Sequence, residues 1–90
     1  MMINTVHDFR RAVRNGPYAW LGGYPTFFIC DDGAALCHAC AKKERRNILE
    51  SIAHRARDDW RVVAIDINYE DPHLECEHCG QHIESAYAED

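Results

Sequence analysis

Four thiols in two short clips, Cys37-His38-Ala39-Cys40 and Cys76-Glu77-His78-Cys79, are the residues of this chain best placed to do chemistry. A Cys-x-x-Cys turn lets two sulfurs converge on one ion at about 2.3 Å, and two such clips form the ligand set of a closed tetrahedral zinc site. Cys37, Cys40, Cys76 and Cys79 are therefore the expected metal ligands, and Zn2+ the expected metal. Gly80 follows the second clip and supplies the sharp bend of a metal knuckle. Cys40 falls where a helix should begin, and the positive end of the helix dipole favours a thiolate. Tetrathiolate iron is the competing metal, although the chain has no cluster-type cysteine run. His38, His78 or His82 could replace one sulfur, His82 most readily, but all three read more simply as surface histidines. A closed four-thiolate site leaves no position for water, which argues against hydrolysis. A strand–Cys-His-Ala-Cys–helix context also suits a thiol oxidoreductase, a reading that leaves the second clip unexplained.

The elements that hold these clips must come from a small chain. Ninety residues imply one domain spanning 1–90. A chain of this size buries only about 60–65% of its unfolded surface, so its core is marginal. A structural zinc site, with an apparent binding energy of roughly 10–16 kcal/mol in small finger peptides, would matter. There are 35 residues between Cys40 and Cys76, so the loop that a shared ion closes is long. The five cysteines are an odd number, which fits a disulfide framework poorly. The fifth, Cys30, is expected to be a small buried apolar residue. Met1-Met2-Ile3-Asn4 leads into a charged segment without a leader pattern, and no apolar run approaches membrane-spanning length. The expected setting is cytosolic, with no membrane partner.

Thr5 can cap a helix over residues 5–15, with Asp8 three residues on. Val6, Phe9 and Val13 share one face. Asn15-Gly16-Pro17 ends the helix. Residues 17–25 form an aromatic loop carrying Tyr18, Trp20 and Tyr24; it either lids the core or binds a partner. Residues 26–30 read as a strand, Asp31-Asp32-Gly33 as a hairpin turn, and Ala34–Leu36 as the return strand that delivers Cys37. Residues 40–57 read as one central helix with an apolar stripe of Ala41, Ile48, Leu49, Ile52 and Ala56. Lys42, Lys43, Arg46 and Arg57 lie opposite. Arg45 falls inside the stripe and must snorkel or pair. Asp58-Asp59 closes the helix. Residues 60–70 are the strongest strand, with Val63, Ile65 and Ile67 alternating against Val62, Ala64 and Asp66; Asp71-Pro72 ends it. The tail from Glu84 would add a short edge segment. The predicted fold is α+β: an N-terminal helix, a β-hairpin, a central helix, a long strand and a zinc knuckle, with a treble-clef-like or zinc-ribbon-like site.

Gly16-Pro17-Tyr18-Ala19-Trp20-Leu21-Gly22-Gly23-Tyr24-Pro25, Asp32-Gly33-Ala34-Ala35-Leu36-Cys37, Trp60-Arg61-Val62-Val63-Ala64, Asn68-Tyr69-Glu70-Asp71-Pro72 and Ile83-Glu84-Ser85-Ala86-Tyr87 resemble a family of small zinc-binding proteins of tailed bacteriophages and prophages. The resemblance covers most of residues 10–90. It implies the cytosol of an infected bacterium and carries no assigned activity. Small phage accessory proteins are often binders or inhibitors of host machinery, anti-CRISPR proteins among them.

The charge is divided along the chain. Residues 1–57 carry nine Lys/Arg and five Asp/Glu; residues 58–90 carry one Arg and ten Asp/Glu. The net charge of −5 therefore combines a basic first part with an acidic last third. Two solvated faces account for this; so does an acidic surface that meets a basic partner or imitates nucleic acid. The leading functional expectation is a non-enzymatic, zinc-stabilised protein-interaction module with a host protein partner. Its alternatives are an inhibitor of host nucleic-acid machinery or defence, a nucleic-acid-binding zinc protein using Lys42, Lys43, Arg46 and Arg57 with Arg10, Arg11 and Arg14, and a thiol oxidoreductase cycling at Cys37 and Cys40.

Overall fold

The computed structural model describes residues 2–16, 18, 24–55, 60–71 and 73–86. The expectations for Trp20 and Gly22-Gly23, for Ala56, Arg57 and Asp58-Asp59, and for Pro72 and Tyr87 fall outside those residues. In chain order the elements are α1 (Val6–Asn15), β1 (Thr26–Cys30), β2 (Ala35–Leu36), α2 (His38–Lys43), α3 (Arg45–Ala53) and β3 (Val62–Ile67). The fold is α+β, with the three strands in one antiparallel sheet of order β2-β1-β3.

The start of α1 follows from its sequence. The Thr5 hydroxyl accepts from the Asp8 backbone N–H at 3.1 Å, and the Asp8 carboxylate accepts from the Asn4 and Thr5 N–H groups at 3.1 and 3.2 Å. This reciprocal capping box satisfies donors that the first helical turn would otherwise leave free. Gly16 ends the helix at φ +84°, with its N–H donating to the Val13 carbonyl. Phe9 and Ala12 point into the core, where the Phe9 ring meets Phe28 of β1 at 5.4 Å.

The expected central helix is two helices. Glu44 interrupts it at φ −101°, ψ +19°. Ala41 and Ile48 stay fully buried on either side of the break. Arg45, four residues beyond Ala41, is exposed rather than inside the apolar stripe. The interruption resets the helical phase, which removes the need for Arg45 to snorkel. It also frees the Glu44 carboxylate to accept from the Asn47 side chain at 3.1 Å and to lie 3.9 Å from His78.

The long strand is shorter than expected, Val62–Ile67 rather than 60–70. Its alternation also departs from a simple period of two: Val62 and Ile65 are the buried positions. Pairing shows why. Ile29 faces Ala64, while Cys30 faces Val62, so Val63 is an extra residue in the ladder. Such a bulge flips the facing of every residue beyond it. Phe28–Ile65 and Cys30–Val62 therefore both bury their side chains. The Val63 carbonyl accepts from the Ile3 N–H at 2.8 Å, which brings Met2–Ile3 alongside the far edge of β3.

Candidate metal centre

β1 and β2 form a hairpin around Asp31-Asp32-Gly33, with Gly33 at φ +88°. The return strand ends at Leu36 and hands the chain to Cys37, which caps α2. The Cys37 sulfur accepts from the Cys40 backbone N–H at 3.5 Å. One turn of helix thus places both sulfurs of the first clip side by side. His38 follows Cys37 but turns away from the sulfurs. It shares a hydrogen bond of 2.8 Å between Nε2 and the Thr26 hydroxyl, and its ring packs on Phe28 at 4.6 Å. It is half-buried, not a surface histidine. Burial pushes its pKa down to about 4, so the ring is a neutral strut between α2 and β1.

The second clip rides on a small hairpin whose arms meet at Glu75 and His82. Cys76 donates its N–H to the Gln81 carbonyl at 2.9 Å, and Gly80 donates to the Cys76 carbonyl at 2.7 Å. Gly80 has φ +73°, a conformation that any other residue takes only at a cost. The Glu77 N–H donates to the Ala35 carbonyl at 3.0 Å, fastening this hairpin to the edge strand β2. That strand-edge bond, with Cys76 buried in the core, helps carry the second clip to the first.

The four sulfurs of Cys37, Cys40, Cys76 and Cys79 all lie within 4.8 Å of one another. The Cys37 and Cys79 sulfurs are 3.8 Å apart. Four sulfurs tetrahedrally arranged about 2.3 Å from an ion are separated by about 3.8 Å, so the donor set fits a metal ion of that size. All five cysteines are free thiols. Cys30 is buried in the core at the end of β1; it stands outside the four-sulfur group. His78 is exposed, edge-on to Trp60 at 5.1 Å, and His82 is exposed on the hairpin arm. Among the described residues the ligand-competent group consists of sulfur alone.

The local electrostatics suit a bound cation. Burial pushes the Cys40 thiol up strongly, and the surrounding thiols of Cys79, Cys37 and Cys76 push it further. Burial likewise raises Cys37, against the opposing Cys40 amide. At Cys76 burial acts upward too, but backbone N–H groups of Cys37, Cys79 and His78 outweigh it and draw the thiol down to about 7. Sulfurs this close cannot all ionise without a positive charge among them. A divalent ion supplies that charge and deprotonates its thiol ligands outright. The backbone amides aimed at Cys76 are preset to offset part of the resulting negative charge.

A second polar centre had no expectation attached to it. Asn68 leaves β3 and is buried, 4% exposed. Its side-chain amide donates toward the carbonyls of Asp71, Ile83 and Glu84 at 3.0, 3.3 and 3.0 Å, and its oxygen accepts from the Asp71 N–H at 3.2 Å. Its backbone N–H donates to Pro25, and its carbonyl accepts from Ala86. One side chain therefore ties the segment after the second clip to the sheet. The only signal in the sequence is an Asn between a β-branched run and a turn. No element forms over residues 84–86, so the expected edge segment is absent there.

No protein-family model, curated protein or solved structure matches the chain. Among the described residues, no helix is long and apolar enough to cross a membrane.

Proposed function

We propose that this chain is a non-enzymatic protein-interaction module whose small core is locked by one structural Zn2+ held by Cys37, Cys40, Cys76 and Cys79. The observation that carries the reading is the convergence of four sulfurs within 4.8 Å from clips 35 residues apart. Zinc suits four soft thiolates in tetrahedral array and has no redox chemistry of its own. A four-sulfur set fills the coordination sphere, which favours a structural over a catalytic role. Iron would satisfy the same geometry, and the two metals separate readily. Protein purified under reducing conditions is expected to hold one zinc per chain by elemental analysis, to be colourless, and to give tetrahedral thiolate absorption when Co2+ replaces the native ion. A red iron-bearing protein would replace zinc with iron. Metal-free protein that folds normally would remove the site altogether.

The redox alternative makes a different prediction. A thiol oxidoreductase would reduce a disulfide substrate such as insulin and accumulate a Cys37–Cys40 disulfide. The zinc reading expects neither while the metal is bound. The resemblance to phage accessory proteins points the interaction toward a host protein.

A further inference from the structure

A groove of about 350 Å³ runs between α1 and α3, lined by Phe9, Arg10, Val13, Arg14, Arg45 and Leu49. Residues four apart share a helix face, so its walls are built in pairs. Phe9–Val13 and Arg10–Arg14 come from α1, and Arg45–Leu49 from α3. Phe9 is only 1% exposed, and Val13 and Leu49 are half-buried, giving an apolar floor. Arg10, Arg14 and Arg45 are exposed, giving a cationic rim. Among the described residues none of these three arginines has an ion pair or hydrogen bond. Two acids of these helix starts are engaged elsewhere, Asp8 with the first turn of α1 and Glu44 with Asn47 beside His78. Glu50 of α3 is exposed without a bond to the three arginines. Arg11 and Arg46 are exposed on the same helices and raise the local positive charge further.

We propose that this groove docks an acidic amphipathic segment of a partner protein. Its apolar side chains would rest on Val13 and Leu49, above the enclosed Phe9, and its carboxylates would face Arg10, Arg14 and Arg45. The inference rests on the protein-interaction reading above and names the chemistry of the partner. Helix-in-groove recognition uses an apolar floor, and flanking guanidinium–carboxylate pairs can set the register. A nucleic acid fits less well. Its phosphates would meet the arginines but leave the apolar floor uncovered. Phe9 is too enclosed to stack on a base, as single-strand binders require.

The test uses a fluorescein-labelled synthetic peptide of about 16 residues, long enough for four helical turns, with Leu at i, i+3, i+4 and i+7 and Glu on the flanks. Fluorescence anisotropy is read at low salt. Saturable binding is expected to the zinc-loaded protein. It should weaken tenfold or more in the Arg10→Glu/Arg14→Glu/Arg45→Glu variant, and similarly when the peptide's Glu become Gln or its Leu become Ser. No binding, or binding indifferent to the triple reversal, overturns the proposal. So does tighter arginine-dependent binding of a single-stranded or duplex DNA oligonucleotide. Arginine-dependent dimerisation of the chain in sedimentation equilibrium would overturn it too, with a second copy as the occupant. Zinc content and melting temperature of the triple variant, expected at wild-type values because the three residues are exposed, separate loss of the groove from loss of the fold. Zinc-loaded protein that ignores the peptide sinks the groove and leaves the metal reading intact.

Discussion

The two cysteine clips have the same spacing and are held very differently. The first belongs to the core. Cys37 caps a helix, Cys40 is buried in it, and His38 braces it to Thr26 and Phe28 of the central strand. The second belongs to a hairpin of about ten residues. A few backbone hydrogen bonds close it, and one, from Glu77 to Ala35, joins it to the sheet edge. Its Cys79 is exposed, whereas Cys76 is completely buried. Helix and core packing therefore preset the first half of the site, whereas the second has Cys76 and Ile83 in the core but leaves Cys79 exposed and gains most from the ion. This division suits a small core: the packed half supplies the template, and sulfur–metal bonds add to the burial of Leu74, Cys76 and Ile83 in holding the second segment.

Metal removal should produce the largest effect and break the symmetry between the clips. A structural zinc ion contributes roughly 10–16 kcal/mol to folding in small finger peptides, comparable to the whole stability of an ordinary domain. Chelation should release the hairpin of the second clip and leave only a weaker transition at lower temperature from the packed half. Where mild chelation leaves residual structure, hydrogen exchange should accelerate first across residues 74–83 and later across β1. Equal acceleration in both regions would show that the first clip is not preset.

Asn68→Ala attacks the other anchor of the C-terminal part. It leaves the Asp71, Ile83 and Glu84 carbonyls and the Asp71 N–H without this partner in a partly buried setting. Leaving buried polar groups unsatisfied costs about 1–3 kcal/mol each in the general case, although those reachable by water cost less. A total loss of about 2–4 kcal/mol is expected from urea unfolding, with zinc stoichiometry unchanged at one. A loss under about 1 kcal/mol would mean that the metal and the burial of Cys76 and Ile83, rather than Asn68, hold residues 74–86 in place.

The elements themselves were the most legible part of the sequence, because their signals are local. Thr5 and Asp8 announce a capping box, Asp31-Asp32-Gly33 a hairpin, and Gly80 a knuckle; each needs only its neighbours to act. The four metal-ligand candidates were legible for a similar reason, since Cys-x-x-Cys geometry is local even when the two clips are distant. What escaped was non-local. The Val63 bulge depends on Ile3 and Cys30 reaching β3 from two sides. The break at Glu44 has no Gly or Pro to mark it, and its carboxylate lies 3.9 Å from a histidine of the second clip. His38 looked like a surface residue because its burial comes from Thr26 and Phe28, twelve and ten residues earlier. Asn68 gathers partners from segments that only the finished fold brings near.

A sharper and smaller test of the first clip is His38→Phe. The ring contact with Phe28 is kept, while the bond to Thr26 is lost. The expected cost is about 1 kcal/mol, and the protein should still bind one metal ion, because His38 is a brace rather than a ligand. Loss of the ion would place His38 in the coordination sphere and overturn the all-sulfur site.

The smallest effect lies at the opposite end of the chain and reports on how the two regions are coupled. Thr5→Ala removes the hydroxyl that accepts from Asp8, at a cost of about 1 kcal/mol. The Asn4 N–H beside Asp8 does most to hold its carboxyl below the usual carboxylate range, against slight desolvation and with help from Thr5. A carboxyl lowered on folding contributes stability above its unfolded pKa, and that stability fades as pH falls through the folded value. The Thr5→Ala effect should therefore be measured near neutrality, where the cap is complete. Its influence on zinc affinity then distinguishes two kinds of apoprotein. If metal-free chain is unfolded, binding and folding are one equilibrium, and about 1 kcal/mol lost at α1 must appear as a roughly fivefold weaker apparent zinc affinity. If the packed half is already folded without metal, the same substitution lowers the melting temperature and leaves zinc affinity unchanged. The preset first clip predicts the second result.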